Sequence, residues 1–392
     1  MSTVRAALLA ILLFPAAAGA AWPGAVEVGG PGSQVAGLAV GARGGVRMLY
    51  TDASGLTVAR GPVGSRLPRR QLLSAHAEVP EIHALADGRT TVTWSERLSS
   101  TASLPVAATA RPGGRFRTFL VGPADARSAA IAVGRGGNGI TAFQWPDNVI
   151  RVIRWRAGGR VGKPQGIEPA INTQMIAAAV GGRYAVVAWC GGPSGTEVRY
   201  TTSHDGRPFI PARTITGATC GIFLTVAVSA HGNAVAAWKV DQYINAISYR
   251  RPGQAFAPAR LTHAGTMIMG RASVAAAADG RTAVSWGVGF ASDSQRIRID
   301  GGRPERAPCP SYGNVFDAHG RATAIFEWYL VSHLCTRMRR GQWRKELLPV
   351  PAGAIYADAP GLRAVAGNTF SRDYVTQAVI SSQRTRSGGP RQ

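Results

Sequence analysis

The sequence predicts an all-β chain built from one recurring unit of short strands, and three observations carry that prediction. First, apolar runs rich in Ala and Val recur on either side of a Gly-containing turn, and each second run ends in an aromatic residue. The clearest copy is 273–286, SVAAAADGRTAVSW; others close at Tyr50, Trp94, Trp145, Trp189, Trp238 and Phe326. Second, these aromatics step by 44, 51, 44, 49, 48 and 40 residues, a mean of 46. A period near 45 belongs to propeller blades or to helical solenoids. Third, no window supplies apolar residues at i, i+3, i+4 and i+7 over ten or more positions. The apolar runs are instead broken by Gly and Pro, with 49 Gly and 24 Pro in the chain, so strands win over helices.

Each element of the unit then follows in order. Asp-Gly between two strand-like runs is a hairpin signal, because type I′ and related turns need positive φ, and this predicts a tight turn at Asp87, His231, Asp279 and His319. After the aromatic comes a loop, then an alternating strand such as EVRYTTS (197–203) or NAISYRRPG (245–253). A final strand of the form FxPARxIT follows at 209–216 and 256–262, with RPGGRFRTFLV at 111–121 in the corresponding place. Four short strands per repeat is the β-propeller formula, and closing the ring removes exposed sheet edges. Small residues suit the innermost strand, and the closing aromatics suit packing between adjacent sheets.

Seven repeats are counted, whereas 372 residues after a leader, divided by 46, give about eight. The predicted fold is therefore a β-propeller of seven or eight four-stranded blades, its ring closed by strands from both termini. Residues 362–366 and 374–381 read as the first two strands of the composite blade, and 25–29 (AVEVG) as its outer strand. On these turn and core positions, residues 34–382 resemble secreted bacterial β-propeller repeats, similar to the sialidase-like and WD40-like groups. The resemblance implies the architecture. It does not bring sialidase activity with it, since 203–209 falls one residue short of an Asp-box and no arginine triad can be placed by motif.

Residues 1–20 read as a secretory signal peptide: Arg5, an apolar run over 6–15, and Ala18-Gly19-Ala20 before the cut. That run is too short to span a bilayer. The expected organisation is thus a signal peptide (1–20), a single propeller domain (21–382) and a disordered basic tail (383–392), in a protein secreted or held at the cell envelope. An exported chain with four cysteines suggests two disulfides. Cys190–Cys220 and Cys309–Cys335 each lie within about one repeat. No C-x-x-C occurs, so zinc is not implied, and nothing in the sequence calls for a metal or a cofactor.

The chain carries 44 basic against 21 acidic residues, and 41 of the 44 are Arg. Such a balance favours anionic partners, because Arg pairs bidentately with phosphate and carboxylate. The charge is scattered, without aromatic interleaving or a nucleic-acid module, so specific nucleic-acid binding is not expected. An anionic envelope polymer, a glycan or another protein fits better as the partner of a monomeric binding module. Acidic residues, scarce overall, recur just after the closing aromatics: Glu96, Asp147, Asp241, Asp293 and Glu327, with Tyr243 and Tyr329 beside two of them and His76, His263 and His333 in the same predicted rim. These are the candidate ligand-binding residues. Two such carboxylates around one cavity would also suit a glycan hydrolase or lyase, the alternative function. No G-x-S-x-G elbow, H-E-x-x-H, Walker A or dinucleotide fingerprint is present.

Overall fold

A computed structural model of the chain describes residues 25–384, apart from 42–43, 100–101, 125, 171–172, 174, 193–194, 264–271, 278, 288–294, 308–313, 317–321, 329–330, 338–341, 350–351, 360–361 and 371–375. Among the described residues there is no helix, and hence none long and apolar enough to cross a membrane. The strands pair antiparallel in eight sheets, taken along the chain. The first sheet comprises Gln34–Val40, Gly45–Asp52, Gly55–Pro62 and Arg69–Ser74; the second, Ala77–Ala84, Thr90–Arg97, Ser103–Ala110 and Arg117–Leu120. The third has its fourth strand in two pieces: Arg127–Val133, Asn138–Gln144, Val149–Arg156, then Arg160–Val161 and Gln165–Pro169. The fourth is Met175–Gly181, Tyr184–Gly191, Glu197–His204 and Arg213–Ile215, and the fifth Ile222–Val228, Ala234–Lys239, Ile244–Arg250 and Arg260–His263. Ser273–Ala276, Thr282–Gly287, Gln295–Ile299 and Glu305–Ala307 make the sixth; Asn314–Phe316, Ala322–Trp328, Val331–Arg337 and Trp343–Leu347 the seventh.

The eighth sheet is composite. Ala352–Ala359, Leu362–Phe370 and Thr376–Arg384 are joined at the outer edge by Val26–Glu27, with Val26 opposite Ile380. The outer strand from the N-terminal end is where the sequence put it. The other two are displaced by one place: Leu362–Phe370 is the second strand and Thr376–Arg384 the third, because Ala352–Ala359 precedes them as the first. That strand lacks the Gly-turn-aromatic signature, so the repeat pattern did not reveal it.

The recurrent hairpins are three-residue loops, not the two-residue I′ turns that Asp-Gly suggested. At Gly44, Gly88, Gly137, Gly232 and Gly280 the glycine N–H donates to the carbonyl three residues back, and that residue's N–H donates to the carbonyl just after the glycine. Only the glycine needs positive φ, between +78° and +97° in these five; Asp87, His231 and Asp279 keep negative φ. This is a type I turn closed by a left-handed residue, the next commonest hairpin loop. The following Arg explains the motif further. Asp87 accepts the N–H and the guanidinium of Arg89, and Asp279 does the same for Arg281. Turns with two successive positive φ values occur two connections later, between the third and fourth strands, at Asp205-Gly206 (53° and 72°) and Asp300-Gly301 (50° and 73°). The stretch nearest an Asp-box is one of these turns.

The closing aromatics lie between sheets. Trp94 and Phe116 of the second sheet pack on Leu49, Leu56 and Val58 of the first. Trp189 and Phe209 of the fourth pack on Ile140, Ala142, Ile150 and Val152 of the third, and Trp238 and Phe256 of the fifth on Val186, Val198 and Tyr200 of the fourth. Trp94, Trp189 and Trp238 are essentially inaccessible to water. One position needs correction. In the third sheet the fully buried aromatic is Phe143, six residues after Gly137, while Trp145 lies past the strand end with the Arg151 guanidinium 4.9 Å from its ring centre. The Phe of FxPARxIT also differs from expectation: Phe209 and Phe256 precede their outer strands and plug into the neighbouring sheet.

First strands of successive sheets touch from the third sheet through the seventh, the first sheet's touches the second's, and the eighth's touches the first's. That crowding selects small residues. A Cβ built on Gly181, at the end of the fourth sheet's first strand, would sit 2.1 Å from the Val228 carbonyl oxygen of the fifth.

Candidate functional site

Clefts open between neighbouring sheets at the end of the molecule that carries the Gly hairpins. Three occur in sequence, of about 440, 480 and 460 Å³. The first lies between the third and fourth sheets, with Arg154, Trp155, Arg156, Arg183 and Asp205 in its wall. The second lies between the fourth and fifth, with Tyr184, Tyr200, Arg207, Arg213 and Arg250. The third lies between the fifth and sixth, with Tyr249, Arg251, Arg281, Asp279 and Asp300, and with Arg250, which it shares with the second. Each combines an aromatic face with arginine, a pairing suited to polar ligands bearing negative charge.

The three differ in how far protein groups already occupy their arginines. In the first, Arg154 donates to Ser203 Oγ and to the Arg207 carbonyl, and stacks 4.5 Å from the Phe209 ring centre. Arg183 faces Asp205 at 3.4 Å. In the third, Arg281 is held by Asp279 at 2.7 Å. Burial opposes ionisation of Asp279, but the guanidinium and N–H of Arg281 outweigh it and hold the carboxyl below the usual range. In the second cleft Arg250 makes one long contact, to the Gly232 carbonyl at 3.4 Å, and its Nε is buried without a partner. Burial holds this guanidinium below the ordinary arginine range. Tyr184 beside it stacks on His204 at 4.5 Å, and Tyr200 packs edge-on to Phe256 at 4.8 Å. Tyr200 Oη accepts the Phe256 N–H, which fixes the ring in the cleft wall.

The carboxylates singled out from the sequence belong to the opposite ends of the strands. Glu96, next to last in the second strand of its sheet, accepts the Trp94 indole N–H at 2.7 Å; Arg97 beside it donates its backbone N–H to the His76 carbonyl. Asp147 is gripped at both oxygens by Arg151, 2.6 Å each, and that hydrogen bonding holds its carboxyl below the usual range. Asp241 accepts the N–H of Tyr243, whose side chain is exposed. His263 pairs with Ile244 and His333 with Phe326 through the backbone, and Glu327 lies opposite Ser332. Asp293 and Tyr329 lie outside the described residues. The contacts of Glu96, Asp147 and Asp241 are all local to their own sheets, and no metal-binding group of His, Cys, Asp and Glu occurs among the described residues.

The same end of the molecule carries the Cys190–Cys220 disulfide, Cα atoms 5.7 Å apart, tying the second strand of the fourth sheet to the approach to the fifth. It is the pairing read from the sequence. Cys335 is buried and disulfide-bonded, while its expected partner, Cys309, lies outside the described residues. The arginine clefts were not legible beforehand, because their members come from two sheets and four separate stretches of chain. The Tyr-Arg-Arg run at 249–251 was the available signal.

No protein-family profile and no functionally described protein matches the sequence. Solved structures do match. The BP39L lectin from Burkholderia pseudomallei aligns at a TM-score of 0.54 and 12% identity, over 83% of this chain and 99% of that one. A structure of prolyl endopeptidases aligns at 0.51 and 10%, over 90% of this chain and 55% of the other, so this chain spans about half its length. The β-propeller domain of the trilobed protease from Pyrococcus furiosus aligns at 0.47 and 9%, covering 79% and 94%. The matches are β-propeller proteins, and the chain has the β-propeller fold.

Proposed function

We propose that the protein is an exported β-propeller of eight blades, closed through its composite last sheet, that acts as a ligand-binding module at or outside the cell envelope. Its binding surface is the rim of clefts between neighbouring blades. One observation carries this reading: three clefts of nearly equal volume open at the same end of successive sheets, each walled by arginine and an aromatic ring. Cavities of this size suit ligands of about one or two sugar rings. A lectin among the structures of this fold is compatible with the reading, as is a disulfide in a chain read as secreted.

The alternative, a glycan-active hydrolase or lyase, needs two carboxylates around one cavity, one of them protonated at working pH. The Arg151 grip keeps Asp147 ionised, which suits a base and disfavours an acid. A glycan and polyanion array on the mature chain at two salt concentrations tests the proposal. Binding that survives high salt supports the clefts, whereas binding lost with salt marks diffuse charge. Turnover of any glycan that disappears in Glu96→Gln or Asp241→Asn would replace the binding reading with the catalytic one.

A further inference from the structure

The cleft between the fourth and fifth sheets differs from its two neighbours in a way that names a ligand. Its wall holds Arg207, Arg213, Arg250 and His204, and no carboxylate. Asp205, the nearest acid in sequence, turns to the cleft on the other side of its hairpin and pairs with Arg183 and His204. Arg250 is half-buried, and Arg213 lines the same cleft. Desolvating a guanidinium and placing a second beside it costs free energy unless an anion or hydrogen-bond acceptors compensate. Here the protein supplies one carbonyl at 3.4 Å. Arg154, in the matching cleft before it, has a hydroxyl, a carbonyl and an aromatic face. The floor adds the buried Thr202 beside the tyrosines, whereas the Ser203 hydroxyl donates to the Arg207 carbonyl. Hydroxyl and guanidinium donors converging on one hollow are the set that recognises a tetrahedral oxyanion.

We infer that this cleft binds a multiply charged oxyanion, the phosphate or sulfate group of a small ligand, with Arg250 and Arg213 as its principal donors and the Tyr184 ring beside them. The inference rests on the reading of the clefts as ligand sites and adds the charge class of what one of them takes. Arg250 presents a planar fork from the third strand, and Arg213 comes from the fourth strand of the preceding sheet, so both sheets contribute.

The test titrates the mature, disulfide-bonded chain with inorganic phosphate, sulfate and acetate, followed by calorimetry and by NMR of the tyrosine rings, at 50 and 300 mM NaCl. Phosphate or sulfate is expected to bind at least about tenfold more tightly than acetate and to move the Tyr184 and Tyr200 resonances. Arg250→Gln should weaken that binding about tenfold or more, Arg250→Lys less, and the exposed Arg213→Gln several-fold. Arg213→Gln serves as the measure if Arg250→Gln fails to fold, judged by near-ultraviolet circular dichroism. The phosphate and sulfate arms separate the two sources, since phosphate changes charge between pH 6 and 8 and sulfate does not. Equal weak responses to all three anions, or binding indifferent to both arginine variants, overturn the inference. If a neutral glycan still binds and shifts the same tyrosines, only the charge class fails; if no ligand touches the cleft, the binding reading fails with it.

Discussion

The interfaces on either side of the fourth sheet are built from the same repeat and held by different chemistry. On the third-sheet side the join is polar and fully engaged. Gln165 clamps Phe209 through both backbone groups, at 2.9 and 3.0 Å, and Arg199 forks onto Glu168 at 2.9 and 2.6 Å. Arg154 is likewise spent on Ser203, the Arg207 carbonyl and Phe209. On the fifth-sheet side no such clamp appears among the described contacts. The Cys190–Cys220 disulfide, the buried Trp238, the Tyr200–Phe256 hydrogen bond and backbone donors such as the Ala259 N–H on the Thr216 carbonyl hold it. Where a covalent tie carries the join, polar side chains are released from structural duty, and Arg250 is left facing a hollow. The Gln clamp recurs between the first and second sheets, where Gln71 pairs with both backbone groups of Phe116, so the fifth-sheet side is the departure.

Four measurements would break or sharpen that contrast. The largest effect is expected from Trp238→Ala, which empties a fully buried site in the fifth-sheet join; urea unfolding should show a loss of about 3–5 kcal/mol. Replacing both Cys190 and Cys220 by Ser opens a loop of separation 30, and the expected loss is about 3 kcal/mol. Hydrogen exchange should then rise at the fifth-sheet side and stay unchanged in Gln165–Pro169; an equal rise on both sides would break the comparison. Gln165→Ala should cost about 1–2 kcal/mol, being two hydrogen bonds to a buried backbone, and should act on the third-sheet side alone. The smallest effect is pH-dependent. Burial raises the Tyr249 phenol well above its ordinary value, with Arg298 opposing the shift. The unfolded chain therefore releases this proton first, and the stability it contributes is present below about pH 10 and declines above it. Tyr249→Phe should flatten the alkaline slope, leaving the part due to Tyr50, which burial also raises.

The sequence was most legible where one local rule acts. Asp-Gly-Arg announced a hairpin because Asp and Arg close the turn within three residues, although the loop proved one residue longer than a I′ turn. Trp189 and Trp238 were readable as core because strand alternation from the turn fixes their side. The same reasoning slipped at Trp145, where the later of two aromatics was chosen; alternation puts Phe143 and Trp145 on one side, and only the strand's end at Gln144 leaves Phe143 as the buried one. The rim acids were visible as a pattern, but their partners were not: the Arg151 fork on Asp147 spans four residues across a turn that the repeat left undefined. Phe209 and Phe256 looked like strand residues and are plugs, since only the neighbouring sheet shows the hole they fill.

By itself the sequence determined the strand content, the turn positions and the period, because each follows from φ preferences or side-chain alternation, and it favoured the disulfide between Cys190 and Cys220 among three pairings. Tertiary structure alone decided which arginines remain available. That depends on whether a carboxylate or carbonyl from another sheet reaches each guanidinium, and hydrogen bonds act over about 3 Å between residues such as Arg154 and Arg207, 53 positions apart.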